Sequence, residues 1–369
     1  MDYKITKLTE NEYKDWDEFC LESDGAWFWH TSDTLEYILN YKPELKTKNF
    51  SFFIGRQNKI LAIIPLILEV IGLNENYFFE FSFSGCGGAI PAPALSDNLT
   101  VAEQDLIYRL IFTEIDRLAA ESKVKRLRLR LRPLFLDKVA EGGQYKRLIS
   151  HGFNDISLST QLIDLRKEEK VLWDELRRNH RRSILKGDKF EIKFYDNMNI
   201  TKGIFYEYKE MHHKASGRKT RPNKTFELMF DQAKRGLGFL VVASLNQKNI
   251  GFEFYTIYKK QAEGFSAAND PDFEYLPIRH RLEWEAMLWM KSRGMNFYDI
   301  GIQQSGPLPY DLPTAKEINI SHFKKGFGGQ TVPLLTLEKF YDKKYFREIN
   351  EIRKKEFADY INKYEKPIK

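Results

Sequence analysis

The sequence predicts an α/β fold of two tandem units, each a mixed β-sheet flanked by helices, with a closing helix at the C-terminus. Two observations predict it. The order apolar hairpin, amphipathic helix, strand occurs twice, and a polar stretch falls between the two occurrences. Repetition of one supersecondary pattern points to a duplicated unit. With 369 residues the chain has room for two domains of ordinary size.

In the first half, Phe52–Gly55 and Ile60–Ile64 are apolar runs around the polar turn Arg56-Gln57-Asn58-Lys59, which reads as a hairpin. A helix follows over 101–122, with Leu106, Leu110, Ile111, Ile115 and Leu118 on its apolar side. A strand then runs through Leu127, Leu129 and Leu131. In the second half, Phe239–Ala243 and Ile250–Tyr255 flank Asn246-Gln247-Lys248-Asn249. A helix over 279–293 stops at Gly294, a residue suited to a helix end, and the strand Asn296–Ile300 follows. The join is expected near 150–158, giving domains 1–155 and 156–369. The segment Glu338–Lys363 has helical rhythm, with Phe340, Tyr345, Ile349, Ile352 and Phe357 as its apolar side.

Composition narrows the function classes. Hydrophobic residues make up 42% and charged residues 30%, which describes a globular protein and not a disordered or fibrous one. Cys20 and Cys86 are the only cysteines, so there is no disulfide framework and no cysteine metal pattern. A reducing cytoplasm is the expected location. Asp2, Lys4 and Lys7 interrupt any leader-like apolar run, and Ile60–Ile71, broken by Pro65 and Glu69, is too short to cross a bilayer. Net charge +6 leans toward anionic partners such as phosphates, RNA or a lipid surface.

The stretch with most chemical content is Tyr298-Asp299-Ile300-Gly301, a loop, then His322–Gly329. A strand ending at Asp-x-Gly, followed by a short basic segment ending in glycines, delivers a lysine beside a sheet edge. Acyl transfer needs a cation there, next to the oxygen that becomes negative as the carbonyl is attacked. A loop that merely hugs the sheet is the plainer reading. A helix over 170–186 aligns Arg177 with Arg181, and Arg178 with Arg182 and Lys186. Arginine's planar fork suits phosphate or carboxylate, against the plainer reading of a solvated face. Strict alternation in Lys125–Arg132 puts its arginines on one strand face, as a basic wall or as partners of acidic neighbours. The loop after Met211-His212-His213 carries Lys214, Arg218, Lys219 and Arg221. Its adjacent histidines lack the spacing of a helical metal pair, and no metal site is predicted. Ser82–Pro91 holds glycines that let backbone approach a ligand, but matches no nucleotide-binding fingerprint.

Three stretches together resemble the FemAB-like branch of the GNAT acyltransferase superfamily, named for peptidoglycan bridge-forming aminoacyltransferases. They are Leu176-Arg177-Arg178-Asn179-His180-Arg181-Arg182-Ser183-Ile184, then Glu283-Trp284-Glu285 with Gly294 and Tyr298–Gly301, then Phe323-Lys324-Lys325-Gly326-Phe327-Gly328. The resemblance covers most of 158–335 and reaches the first half more loosely through Trp29-His30-Thr31-Ser32 and Gly85–Pro91. It implies two GNAT-like domains in tandem and an enzyme. It places Phe323 and Lys324 at the acyl-transfer centre, with Lys324 steadying the oxyanion or leaving group and Phe323 shaping the acyl pocket. Arg221, with Arg218 as alternate, matches the family's acceptor-phosphate arginine. Arg181 and Tyr275 complete the expected substrate-binding set, and Asp299 is the carboxylate considered as general base.

The implied activity is transfer of an aminoacyl or acyl group onto an amine of a nucleotide- or lipid-linked envelope precursor. No tightly bound cofactor is implied; the donor is aminoacyl-tRNA or acyl-CoA, and peripheral contact with the inner membrane face is compatible. Leu35–Leu39 lacks the tryptophan and lysine of members acting on peptidoglycan precursors. The loop before Arg279 lacks the glycine pattern with which ordinary GNAT enzymes grip coenzyme A at a helix N-terminus. Two alternatives stand beside this reading: a coenzyme A-dependent N-acetyltransferase of a surface amino sugar, and a non-catalytic RNA- or envelope-binding protein.

Overall fold

The computed structural model describes residues 3–73, 76–84, 88–134 and 143–364; the glycine-flanked Cys86 singled out above lies outside them. Two compact units emerge, and neither is one run of sequence. The first holds Met1–Ser159, Ile302–His322 and Pro333–Lys369, and the second holds Thr160–Gly301 and Phe323–Val332.

In the first unit the predicted hairpin forms as β1 (Phe52–Arg56) and β2 (Lys59–Ile64), turning through Gln57 and Asn58 at positive φ. It belongs to a four-stranded antiparallel sheet with Lys4–Lys7 and Ala94–Leu95. The strands that match the second half are a different hairpin, β3 (Ile67–Leu73) and β4 (Asn76–Phe81). Helix α1 (Val101–Glu121), entered through a Thr100–Glu103 capping box, leads from them to β5 (Val124–Arg130), parallel to β4. The duplicated pattern is therefore real, but its first hairpin is not the one the apolar runs suggested. The run Ile60–Ile71 is two strands in different sheets, separated at Pro65, where no strand is assigned.

The C-terminal segment also differs from its helical rhythm. Thr336–Phe340 is a strand, antiparallel to β5 and inserted between it and Asn154–Asp155. The helix begins only at Lys343, where Asp342 Oδ1 accepts the Tyr345 N–H at 2.9 Å. Sheet pairing of the backbone overrides local periodicity there. The arginines of β5 meet carboxylates: Arg126 Nε donates to Glu80 at 3.0 Å and its Nη1 to Glu338 at 3.3 Å. Glu80, Glu338 and Arg126 are buried, so the alternating arginines are a fold-holding network.

The second unit is built on one seven-stranded sheet. Its strands are β6 (Leu158–Asp164), β7 (Glu191–Tyr195), β8 (Gly238–Leu245), β9 (Lys248–Tyr258), β10 (Gln261–Asn269), β11 (Phe297–Gln303) and β12 (Gln330–Leu334). Their spatial order is β7-β8-β9-β10-β11-β6-β12. The predicted Lys170–Lys186 helix is two helices, α2 (Glu169–Glu175) and α3 (Arg178–Lys186). Leu176 and Arg177 between them are extended, because the Arg177 N–H donates to the Gly326 carbonyl at 2.9 Å in place of a helical partner. Helices α4 (Lys202–Ser216) and α5 (Asn223–Lys234) follow β7, and α6 (Ile278–Ser292) follows β10. Gly294 terminates α6 at φ 75°, as its position suggested. Helix α7 spans Ala315–Lys325. The core gathers Phe239, Val241 and Tyr255 of the sheet with Ile278, Leu282 and Met287 of α6 and Tyr298 and Ile300 of β11. Burial of this apolar surface is what fixes α6 on the sheet.

One feature of the sheet positions the site. Strands β10 and β11 pair in parallel from Gln261↔Phe297 to Glu263↔Asp299, and the pairing stops there while both strands run on. A bulge in the β9–β10 pairing falls next to this point, between Phe254 and Tyr255. Bulges bend a strand and re-aim its side chains, and here the two strands part. Among the described residues no helix is long and apolar enough to cross a membrane.

Candidate active site

At the last β10–β11 pair β11 carries Asp299, and just past it Gly301. Asp299 is buried; its Oδ1 accepts the Thr160 hydroxyl at 2.6 Å and the Gly301 N–H at 2.8 Å. Gly301 has φ 111°, a conformation for glycine, and a Cβ built there would stand 2.5 Å from Lys324 Nζ. The absence of a side chain at 301 lets the lysine lie over the strand.

Lys324 comes from the last turn of α7, and the basic run His322–Lys325 is helix, not the sheet-hugging loop of the plainer reading. The strand likewise runs past Gly301 to Gln303. Lys324 is half-buried. Burial pulls its ammonium down from the ordinary lysine range; Asp299 foremost, then Glu283, holds it up, Arg279 works against them, and Glu253 adds support.

Phe323 packs in an aromatic cluster: ring centroids lie 4.9 Å from His280, 5.2 Å from Phe327 and 5.5 Å from His180. His180 Nε2 donates to the Phe323 carbonyl at 2.9 Å, and its ring fills the space a side chain on Gly326 would need. Burial pulls both histidines below the ordinary value, His280 to about 4 with His180 adding to it. Gly328 and Gly329 have positive φ and press against Glu175 and the Leu162 carbonyl. Gln161 Nε2 donates to the Gly328 carbonyl at 2.5 Å. The three sequence stretches of the resemblance thus meet: α3 through His180, α6 through His280, β11 through Gly301, and the Phe323–Gly329 turn.

Behind them stands a charge cluster that sequence reasoning missed. Glu253 of β9 and Glu283 of α6 are each 1% exposed. Arg279 Nη2 reaches Glu253 Oε1 at 2.7 Å and Glu283 Oε1 at 3.1 Å. Tyr298 and Tyr255 hydroxyls donate to Glu283 Oε2 at 2.7 and 3.3 Å. Burial pushes the Glu253 carboxyl well above the usual carboxylate range; Arg279 opposes this and Glu283 adds to it. The available signal was a single glutamate inside the apolar run Ile250–Tyr255, a residue type seldom buried without a partner.

The remaining expected residues lie apart from this centre. Arg221 follows α4, stacks 4.5 Å over Phe226 and donates to Ser266 Oγ at 3.0 Å. Ser266 pairs with Phe254 across the sheet, so Arg221 sits on the α4 face, opposite Glu253. Arg181 donates to the Asp174 carbonyl at 3.0 Å and the Trp173 carbonyl at 3.4 Å, capping the end of α2. Arg218 and Tyr275 are exposed. Among the described residues no three His, Cys, Asp or Glu side chains gather as a metal ion requires.

No protein-family model matches the sequence, and no curated protein does. Solved structures do. FemX superposes with TM-score 0.66 at 12% identity, covering 95% of this chain and all of its own. The chain has the fold of FemX. L-PGS from Bacillus licheniformis follows with TM-score 0.55 at 10% identity, over 94% of this chain and 97% of its own. A tandem GNAT protein from the clavulanic acid biosynthesis pathway gives 0.50 at 11%, over 92% and 98%. The expected fold is therefore shared with FemX and with the tandem GNAT protein.

Proposed function

We propose that the protein is an acyltransferase that moves an aminoacyl or acyl group onto an amine of a nucleotide- or lipid-linked envelope precursor. The observation that carries this is the half-buried Lys324 ammonium laid over Gly301, where β10 and β11 part. The acceptor amine attacks the carbonyl, the new C–N bond forms, and the bond to the donor's oxygen or sulfur breaks. Lys324 offsets the negative oxygen of the intermediate, a role worth about 2.7–4 kcal/mol for one donor in other enzymes. Phe323, held by His180 and His280, forms the apolar wall beside it. Asp299, two residues before Gly301 on β11, is the carboxylate proposed to take the amine proton. Among structures with this fold, FemX and L-PGS support an aminoacyl or lipid-linked chemistry. The second reading, an acyl-CoA-dependent N-acetyltransferase, draws on the parting of β10 and β11 and on the tandem GNAT protein.

Native mass spectrometry and thermal shift against acetyl-CoA, aminoacyl-tRNA mimics and UDP-sugars identify the ligand class. Lys324→Met should then lower turnover about 100- to 1,000-fold with ligand binding retained. Turnover unchanged in the variant would sink the proposal, and binding without any turnover in the wild type would favour a non-catalytic module. A response to coenzyme A alone selects the second reading.

A further inference from the structure

On the α4 face of the second unit's sheet, α4 and α5 enclose an open cleft of about 440 Å³. Its floor is aromatic. Phe205, whose ring lies 5.8 Å from Phe254 of β9, and Phe226 are buried, Phe230 is half-buried, and Tyr206 stands 59% exposed at the rim. Residues three, four and seven apart share a helix face, which turns Lys202, Phe205, Tyr206 and Lys209 of α4 toward Phe226, Glu227 and Phe230 of α5.

The two walls differ in charge: Lys202 and Lys209 line the α4 wall, Glu227 and Asp231 the α5 wall. Ring centroids of Phe205 and Phe230 lie 5.7 Å apart, and those of Tyr208 and Phe226 5.9 Å. The helices therefore run antiparallel, with Lys202 level with Asp231 and Lys209 level with Glu227. Among the described residues Lys202 and Asp231 enter no ion pair, and both are exposed. Lys209 and Glu227 have partners only on their own helices, Glu210 at 3.5 Å and Lys224 at 3.9 Å, surface pairs of little worth. An apolar seam edged by charge is the pattern with which helices choose a partner and its orientation.

We infer that this cleft is an isologous interface on which a second copy of the chain docks, α4 of each copy lying over α5 of the other. Charge selects the arrangement. A two-fold axis parallel to the helices brings the lysines of each copy over the carboxylates of the other and turns each Tyr206 ring toward the facing aromatic floor. An axis across the helices lays α4 on α4, lysine against lysine, which costs affinity. A foreign helix would have to carry acid on one edge and base on the other; a second copy carries both by construction. The inference stands apart from the reading of Lys324.

Sedimentation velocity of the full chain over a concentration series tests it. The wild type should dimerise, and less tightly as salt rises. Lys202→Glu sets two like-charge contacts across the axis, as does Asp231→Lys, and each should raise the dissociation constant about tenfold or more. An equimolar mixture of the two variants should recover a dimer, because every contact in the mixed pair again joins opposite charges. Both positions are exposed, so the variants should melt as the wild type does. A wild type monomeric at every concentration overturns the inference and leaves the cleft to a foreign helix or a small ligand. Dimers that ignore both single substitutions overturn it too, since they form elsewhere, and so does a mixture that stays monomeric. None of these results touches the turnover test of Lys324→Met.

Discussion

In the first unit Glu80 and Glu338 share Arg126, Arg128 and Arg353, while in the second Glu253 and Glu283 share Arg279 alone. Tyr345 adds a hydroxyl to Glu80 as Tyr298 does to Glu283, at 2.5 and 2.7 Å. Burial and hydrogen bonding are thus alike, and the difference lies in the charge balance. The first cluster has more cations than carboxylates and ties β4, β5 and the C-terminal strand and helix together. The second has fewer cations than carboxylates and lies between β9 and α6. A surplus of partners makes a buried network robust; a deficit makes it responsive to its neighbours.

Removing the central arginine of each cluster breaks this comparison most directly. Arg279→Leu leaves two buried carboxylates without their guanidinium and should cost about 3–5 kcal/mol near pH 8. The loss should shrink on acidification. Glu253 already sits above the ordinary carboxyl value of 4.5, so the folded state binds its proton more tightly than the unfolded chain does. Stability then falls as pH rises past 4.5 and returns as pH drops back toward it. Denaturant melts at several pH values check this; a pH-independent loss would mean that the carboxyls are not the source. Arg126→Leu should cost less, about 1–3 kcal/mol, because Glu80 keeps Arg128 and Tyr345 and Glu338 keeps Arg353. A larger loss than for Arg279→Leu would reverse the ranking. The smallest effect belongs to a guanidinium bonded to carbonyls: Arg181→Ala should cost about 0.3–1 kcal/mol, the scale of a cation at a helix C-terminus. If Arg181 also binds substrate, KM rises by more than the melt accounts for.

The second unit was the more legible half of the chain. Its hairpin β8–β9, the α6 stop at Gly294 and the strand through Asp299 follow from local chemistry: apolar alternation, turn residues, and glycine at a helix end. Lys324 lies over Gly301, two residues from Asp299, because Gly301 has no side chain, and His180 reaches the Phe323 carbonyl because Gly326 has none. Three features were not legible, each for a tertiary reason. The break at Leu176–Arg177 exists because the Gly326 carbonyl outcompetes the helix for the Arg177 N–H. The start of β3 was hidden inside the longer apolar run Ile60–Ile71. Thr336–Phe340 has the rhythm of the helix that follows it and becomes a strand only because β5 offers it an open edge. The Glu253 cluster was visible only as an isolated acid in an apolar strand, whose partner on α6 no local pattern announces.

The insertion of Thr336–Phe340 beside β5 bears on how the protein comes into being. Synthesis runs from the amino end, yet the strand that pairs with β5 is made only after the second unit. Until the ribosome has passed it, the flank of β5 stays unzipped, a template for mispairing. Folding of this unit must therefore wait for a strand that follows the second unit, a long-range closure that is slow by its nature. A nascent chain halted before Thr336 would present that bare flank to chaperones instead of a finished domain.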